Sequence, residues 1–359
     1  MRANRSLPNS PLSGFSLIEM MVAIAILMVI LTAIFEIVDK TRATFNYSQS
    51  KVAQFRTARS AFQTMTRRIS QAVLNTYWDY DDPEDPLQYQ KQSELHFVVG
   101  PSGSPLGDFP ELLGGGETRP GHAIFFQGPF NYSADRDNRN FDTLLNSWGY
   151  YIEFGSDEKF LPPFMRGREG ISERYRFRLM EFRPPTEKML VYGEELKKQP
   201  PGFDFYQWFR SLADDYSRPI AENVIALIIS PRRSRNDTPI DEVNDLPWDI
   251  APDYYYNSRE FQRSSESNEP RFQVSKHQLP SLLHITLITI DDRSAIKLEE
   301  EFGRNVPDLQ LDSLFQNASR YEADLETLEN RLLELNLTYQ VFTDTVAMRA
   351  AKWTNLTER

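Results

Sequence analysis

Few side chains in this sequence have the types and spacing that catalysis requires. The four histidines are scattered, and none falls in an H-x-x-x-H or H-E-x-x-H pattern. The segment Gly100–Gly103 reads G-P-S-G and therefore lacks the spacing of a nucleophile elbow. The chain has no cysteine, which excludes thiolate catalysis, disulfides and cysteine metal sites. These patterns favour a protein that is not an enzyme.

One acidic cluster has the composition of a metal site. Its members are Asp79, Asp81, Asp82, Glu84 and Asp85. Carboxylate oxygens are the ligands that calcium prefers in proteins. A solvated acidic turn has the same composition, so the cluster supplies only weak calcium candidates. The sequence offers no candidates for any other cofactor.

A single carboxylate, Glu19, lies within a long apolar run, where a charge is costly if the run spans a membrane. Phe15 to Phe35 is a run of 21 residues whose only charged member is Glu19. As a helix this run would be about 31 Å long, which matches the hydrocarbon core of a membrane. An ordinary secretory signal has a shorter apolar stretch, and a plain membrane anchor would not explain the carboxylate. Glu19 therefore predicts a function that needs a negative charge within the span.

The residues around Glu19 resemble the amino terminus of type IV prepilins and pseudopilins. Gly14 is followed by F-S-L-I-E-M-M-V-A, which is similar to that family's G-F-T-L-I-E-x-x-V-A signature, with Ser16 in place of threonine. The resemblance implies that prepilin peptidase cleaves the Gly14–Phe15 bond and methylates the new amino group of Phe15. It also implies that Glu19 neutralises the Phe15 ammonium of a neighbouring subunit. Such a pair is less costly in lipid than two separate charges.

The same segment predicts how the chain is divided at the membrane. Residues 1–14 are the expected leader peptide, and they contain Arg2 and Arg5 but no acid. Residues 15–38 are the expected transmembrane helix, a single pass through the inner (cytoplasmic) membrane. The basic leader is expected in the cytoplasm, so residues 78–359 would form an extracytoplasmic domain before the protein enters a filament.

Residues 39–77 are predicted to continue the helix beyond the membrane as an amphipathic stretch, ended by the acids and prolines that begin at Asp79. Apolar residues recur there at intervals of three, four and seven, with basic residues between them. This apolar stripe consists of Phe45, Val52, Phe55, Phe62, Met65, Ile69 and Val73.

Beyond the helix the sequence predicts an antiparallel β-sheet, because short runs of β-branched and aromatic residues show a period of two. Long surface loops are expected at 100–121 and 232–278, the second partly ordered by its aromatic residues, and a short helix at Phe205–Leu212. The expected fold is α+β and pilin-like, with a long N-terminal helix on the sheet. The predicted strands are Glu94–Val99, Ala123–Gln127, Tyr150–Phe154, Tyr175–Phe182, Asn223–Ser230, Leu282–Ile290 and Tyr339–Ala347.

The stretch 311–335 is predicted to be a C-terminal amphipathic helix that precedes the final strand. Its apolar residues alternate three- and four-residue steps, which is a heptad seam. The seam would either pack inward on the sheet or dock another subunit. Its members are Leu311, Leu314, Ala318, Tyr321, Leu325, Leu328, Leu332 and Leu335.

A second resemblance covers part of the later half of the chain. The strand Ala221–Leu227, a loop with Trp248 and the strand Leu279–Leu287 resemble the pattern of J-type minor pseudopilins of type II secretion. The ending Tyr339–Trp353 also resembles the C-type proteins of Verru_Chthon cassettes. Both resemblances imply a minor subunit of a pilus-like filament.

The sequence therefore predicts a structural protein that acts at the tip or initiation complex of a type II secretion pseudopilus or a type IV pilus-like filament. Its expected partners are prepilin peptidase, other minor and major pilins or pseudopilins, and the inner membrane. The net charge of −11 argues against general nucleic-acid binding, which needs a basic face. The alternative is a filament-displayed binding module, either an adhesin or a minor pilin for DNA uptake.

Overall fold

A computed structural model describes residues 16–80, 84–87, 89–106, 109–168, 173–192, 204–234, 250–260 and 275–352. The chain divides into two compact units, residues 1–53 and residues 54–359. The first unit contains the beginning of one long helix. The second contains the end of that helix and all the strands of the described residues.

Helix α1 spans Leu17–Ile69, so the prediction that it continues to Tyr77 is wrong. Ala72 and Leu74 are buried, and the N–H of Val73 donates to the carbonyl of Gln127 at 2.9 Å. The residues after Ile69 thus pack into the core and bond to the sheet, and they do not continue the helix. The expected acidic terminator begins at Asp79, ten residues after the last residue of the helix and within the strand Tyr77–Tyr80.

The strands of the described residues form three antiparallel sheets. A six-stranded sheet has the order β7-β6-β5-β4-β3-β9, a three-stranded sheet has the order β11-β10-β8, and β1 pairs with β2. The strands are β1 (Tyr77–Tyr80), β2 (Tyr89–Gln92), β3 (Val98–Pro101), β4 (His122–Pro129), β5 (Leu145–Ser156), β6 (Tyr175–Phe182), β7 (Ser217–Glu222), β8 (Val224–Arg232), β9 (Tyr256–Asn257), β10 (Leu282–Ile290) and β11 (Tyr339–Ala347).

The main core lies between the two larger sheets, where β8 packs against β4, β5 and β6. Ile124 and Leu179 of the six-stranded sheet and Leu227 of β8 are fully buried in this core. On the second face of the six-stranded sheet, Phe125 stacks on Phe209 with ring centroids 3.9 Å apart. The six-stranded sheet is therefore covered on both faces.

The predicted α+β fold, with a long N-terminal helix and an antiparallel sheet, is confirmed. Three strands have the predicted bounds: Tyr175–Phe182, Leu282–Ile290 and Tyr339–Ala347.

The short helix expected within Phe205–Leu212 is also present, as α2 at Gln207–Arg210. The strand predicted at Glu94–Val99 begins later, at Val98, because the N–H groups of His96 and Phe97 donate to the side chains of Gln127 and Ser258 and not to a neighbouring strand.

Two predicted loops are more ordered than the sequence suggests. In 100–121, Leu112 is fully buried and its N–H donates to the carbonyl of Pro101 at 2.9 Å, because this leucine belongs to the core on the second face of the sheet. In 232–278, Tyr254 and Tyr256 are buried as expected. Trp248 lies outside the described residues.

Three further helices cover the domain: α3 at Ala213–Tyr216, α4 at Asp292–Phe302 and α5 at Tyr321–Glu334. Helix α4 was not predicted.

The predicted C-terminal helix begins ten residues later than the heptad seam does, because residues 311–313 and 318–320 form separate 3₁₀ turns. Leu328 and Leu332 of α5 are fully buried in the main core. The seam therefore packs inward, which decides between the two alternatives.

Candidate assembly segment

The first turn of α1 is closed by a reciprocal pair of hydrogen bonds. The N–H of Ser16 donates to Oε2 of Glu19 at 3.0 Å, and the N–H of Glu19 donates to Oγ of Ser16 at 3.3 Å. This is a capping box, in which a serine at the N-cap and a glutamate at the third helical position satisfy each other's backbone N–H groups. The S-x-x-E pattern of Ser16 and Glu19 is the local sequence signal for this turn.

Glu19 is thus held at the very start of the helix. Its carboxylate also accepts from the Ser16 hydroxyl at 3.0 Å. Phe15 immediately precedes Ser16 in the chain. A mature amino terminus at Phe15 would consequently lie one residue before the capping box.

The residues that follow are both apolar and exposed. All residues of 16–46 are exposed within the structure, and α1 is long and apolar enough to cross a membrane. The hydroxyl of Thr32 donates to the carbonyl of Met28 at 2.9 Å. A polar group that is satisfied within its own helix can face lipid at low cost.

The predicted cleavage site cannot be placed. Gly14 and Phe15 lie outside the described residues, so the scissile bond and the methylated amino group stay predictions. Of the predicted assembly residues, Glu19 alone lies within the part of the chain that the structure describes.

The calcium candidates are only partly described. Asp79 lies on β1, and its Oδ1 accepts from the N–H of Tyr80 at 2.8 Å. Glu84 and Asp85 are exposed, whereas residues 81–83, which include Asp81 and Asp82, are outside the described residues. Within the described ranges no group of three or more acidic or histidine side chains is placed to hold a metal ion. Calcium binding stays a prediction.

The end of α1 is fixed to the six-stranded sheet by an ion pair whose carboxylate is buried and whose guanidinium is partly exposed. Arg68 forms a salt bridge with Glu181, whose side chain is only 3% exposed. Oε1 of Glu181 also accepts from the Tyr150 hydroxyl at 2.9 Å and from Nε1 of Trp148 at 3.2 Å. The guanidinium of Arg68 lies 4.6 Å from the centroid of the Trp148 ring. These contacts join the helix to β5 and β6.

Two of the four histidines, His96 and His122, have structural roles. His96 is fully buried; its Nδ1 accepts from Nε1 of Trp208 at 3.0 Å, and its Nε2 lies 2.8 Å from Oδ1 of Asn257. His122 is also buried, and its Nδ1 accepts from the N–H of Ile229 at 3.1 Å. Both rings are thus held as neutral tautomers that link separate elements of the domain.

Acidification is expected to destabilise the domain through His122. Burial lowers the pKa of His122 to about 4, from the usual value of about 6.5. The unfolded chain therefore binds the proton first, and the free energy of unfolding falls as the pH drops from about 6.5 to about 4. The full loss from this residue is about 3 kcal/mol. Urea unfolding of the detergent-solubilised chain at several pH values measures it.

The matched variant for that measurement is His122→Gln, which keeps an acceptor for the Ile229 N–H but does not titrate. Its unfolding free energy should depend less steeply on pH than that of the natural chain. If the unfolding free energy changed equally steeply with pH in the two proteins, His122 would not be the cause of the acid destabilisation. Circular dichroism at pH 7 establishes that the variant is folded.

Residues 13–35 match the prokaryotic N-terminal methylation motif. This motif indicates a type IV pilin-like precursor, and it coincides with the capping box and the exposed apolar helix. No curated protein matches the chain. No solved structure matches it either.

Proposed function

We propose that the chain is a minor pilin-like or pseudopilin subunit that assembles into the tip or initiation complex of a type II secretion pseudopilus or a type IV pilus-like filament. The observation that carries the proposal is the methylation motif at residues 13–35, placed at the start of an exposed helix of membrane-spanning length. Proteins with this motif are structural subunits, so the role is one of assembly and not of catalysis.

In this proposal prepilin peptidase cleaves after Gly14 and methylates Phe15. The carboxylate of Glu19 then forms an ion pair with the Phe15 ammonium of a neighbouring subunit. The capping box supports this role, because it holds the carboxylate in the first helical turn. An ammonium and a carboxylate that meet within lipid relieve each other's desolvation cost.

Before assembly the protein would reside in the inner membrane as a single-pass protein. Its basic leader would face the cytoplasm, and residues 78–359 would lie on the extracytoplasmic side. The stripe residues Phe62 and Met65 are buried in the domain, whereas Phe45 is exposed. That exposed part of the helix is available for contact with other subunits in a filament.

Among minor subunits we favour the J-type of type II secretion. The support is the strand–loop–strand pattern, in which β8 and β10 pair side by side with Leu287 opposite Leu227. The C-type protein of Verru_Chthon cassettes is the second candidate of the same kind. Either assignment makes other pilins or pseudopilins the partners of the domain.

The proposal is tested by cross-linking intact cells and recovering filaments by shearing. The chain should appear in the filament fraction, joined to other proteins that carry the methylation motif. Its confinement to the membrane, in cells whose filaments are recovered normally, would contradict the proposal. Cross-links to an external ligand without any pilin-like partner would favour a displayed binding module.

A further inference from the structure

A small cavity lies beside Asn223, the single residue between β7 and β8. Strand β7 belongs to the six-stranded sheet and β8 to the three-stranded sheet, so the chain crosses from one sheet to the other at this residue. The cavity has a volume of about 10 Å³, and its walls include residues of β6, β10 and α4. We call it the crossover cavity. Its polar lining includes Arg176, Asn223 and Glu299.

The backbone of Asn223 fixes the crossing in a left-handed conformation, with φ of 60°. Its N–H donates to the carbonyl of Phe177 at 2.7 Å, and its carbonyl accepts from the N–H of Ile290 at 2.9 Å. The hydroxyl of Thr289 donates to the same carbonyl at 2.9 Å. Glycine would adopt this conformation without strain, so the crossing itself does not require the side-chain amide that asparagine adds.

That amide and the guanidinium of Arg176 both carry buried atoms that lack a bond. Asn223 is 3% exposed and Arg176 is 4% exposed. Among the described residues, Oδ1 of Asn223 has no hydrogen-bond partner, and neither do Nε and Nη1 of Arg176. Burying a polar atom without a hydrogen bond is costly. One side chain offers donors and the other an acceptor, so a ligand that both accepts and donates would satisfy the two together.

Charge and size limit what this ligand can be. Nη2 of Arg176 lies 3.1 Å from Oε2 of Glu299, and Nη1 lies 3.6 Å from Oδ1 of Asp292. The guanidinium thus has two counter-charges from α4 and does not need a bound anion, while it would repel a cation. A volume of about 10 Å³ is the space that a single water molecule needs, and water requires two or more polar partners.

We propose that the crossover cavity is a binding site for one water molecule, which accepts from Nε or Nη1 of Arg176 and donates to Oδ1 of Asn223. The water connects α4 to the crossing between the sheets, because Arg176 is itself paired with Glu299 of that helix. Glu299 also accepts from the N–H of Tyr175 at 3.0 Å, which holds the same end of β6. This site is additional to filament assembly and does not depend on it.

The direct test is a crystal structure of the full-length chain in detergent, at a resolution that shows ordered water molecules. An electron-density peak is expected within about 3.2 Å of both Oδ1 of Asn223 and a guanidinium nitrogen of Arg176. The proposal is overturned if both side chains are ordered and no peak lies between them. It is also overturned if the amide bonds directly to the guanidinium.

A matched pair of variants measures what the water bridge contributes to stability. Asn223→Gly keeps the left-handed backbone but removes the acceptor, so it should lower the melting temperature by at least about 3 °C. The control is Asn131→Gly, since Asn131 also has a positive φ, of 56°, but is exposed. Both replacements loosen the unfolded chain alike, and the control should shift the melting temperature by less than about 1 °C.

Circular dichroism before heating establishes that each variant is folded. If Asn223→Gly and Asn131→Gly melted at the same temperature as the natural chain, the buried amide of Asn223 would have no bound partner to lose. That result would overturn the proposal.

Discussion

Replacing Glu19 with glutamine is expected to lower the amount of this protein in sheared filaments at least about tenfold, which corresponds to about 1.4 kcal/mol of assembly free energy. In the proposed mechanism, Glu19→Gln leaves the Phe15 ammonium of the neighbouring subunit without a counter-charge in lipid, where an unpaired charge is costly. Glutamine still has an oxygen that can accept from the Ser16 N–H, so the capping box is preserved. The measurement is the ratio of filament-bound to membrane-bound protein.

The helix provides a matched control for this experiment. Glu36 is a second exposed carboxylate on α1, at the far end of the apolar run. Glu36→Gln should leave filament recovery unchanged, because this position is not near the new amino terminus. If Glu19→Gln assembled as well as the natural chain, or if Glu36→Gln failed equally, the pairing of Glu19 with Phe15 would be refuted.

Replacing Arg68 with methionine is expected to cost about 3 kcal/mol of the free energy of unfolding. The substitution leaves the carboxylate of Glu181 buried without its principal counter-charge, and breaking such a pair usually costs 3–5 kcal/mol. The lower end applies because the Arg68 side chain is 31% exposed and its charge is therefore partly screened. In addition, Arg183 remains 3.8 Å away and the hydrogen bonds from Trp148 and Tyr150 persist. Urea unfolding followed by tryptophan fluorescence measures the change.

The neighbouring residue and the partner residue control that result. Arg67 is exposed on the same helical turn, so Arg67→Met should change stability by less than about 0.5 kcal/mol. Adding Glu181→Gln to Arg68→Met should recover at least half of the loss, since the buried charge is then gone. A loss below about 1 kcal/mol for Arg68→Met would mean that the pair does not fasten α1 to the sheet.

The sequence predicts the strands best where packing dictates the residue pattern. Strands β6, β10 and β11 have their predicted bounds because aromatic or β-branched residues recur along them with a period close to two. Strand β7 was missed because it contains Pro219, which an edge strand tolerates but a sequence reading takes as an interruption. Helix α4 was missed because only a few of its residues are buried, although Asp291 caps it by accepting from the Ser294 N–H at 2.8 Å.

The two sites differ in how far the sequence predicts them. Glu19 and its cap Ser16 are three residues apart, so the local pattern identifies the charged group and the turn that holds it. The ion pair at the end of α1 joins Arg68 to Glu181, residues 113 positions apart. No local pattern brings them together, because their proximity depends on how α1 packs against β6.

Processing of this chain as a pilin-like precursor is tested by the mass of its mature amino terminus. The protein would be purified from its native membrane and its first peptide identified by mass spectrometry. We expect a terminus at Phe15 that carries about 14 Da of added mass from one methyl group. A chain that still begins at Met1, in cells that process another prepilin, would contradict the claim.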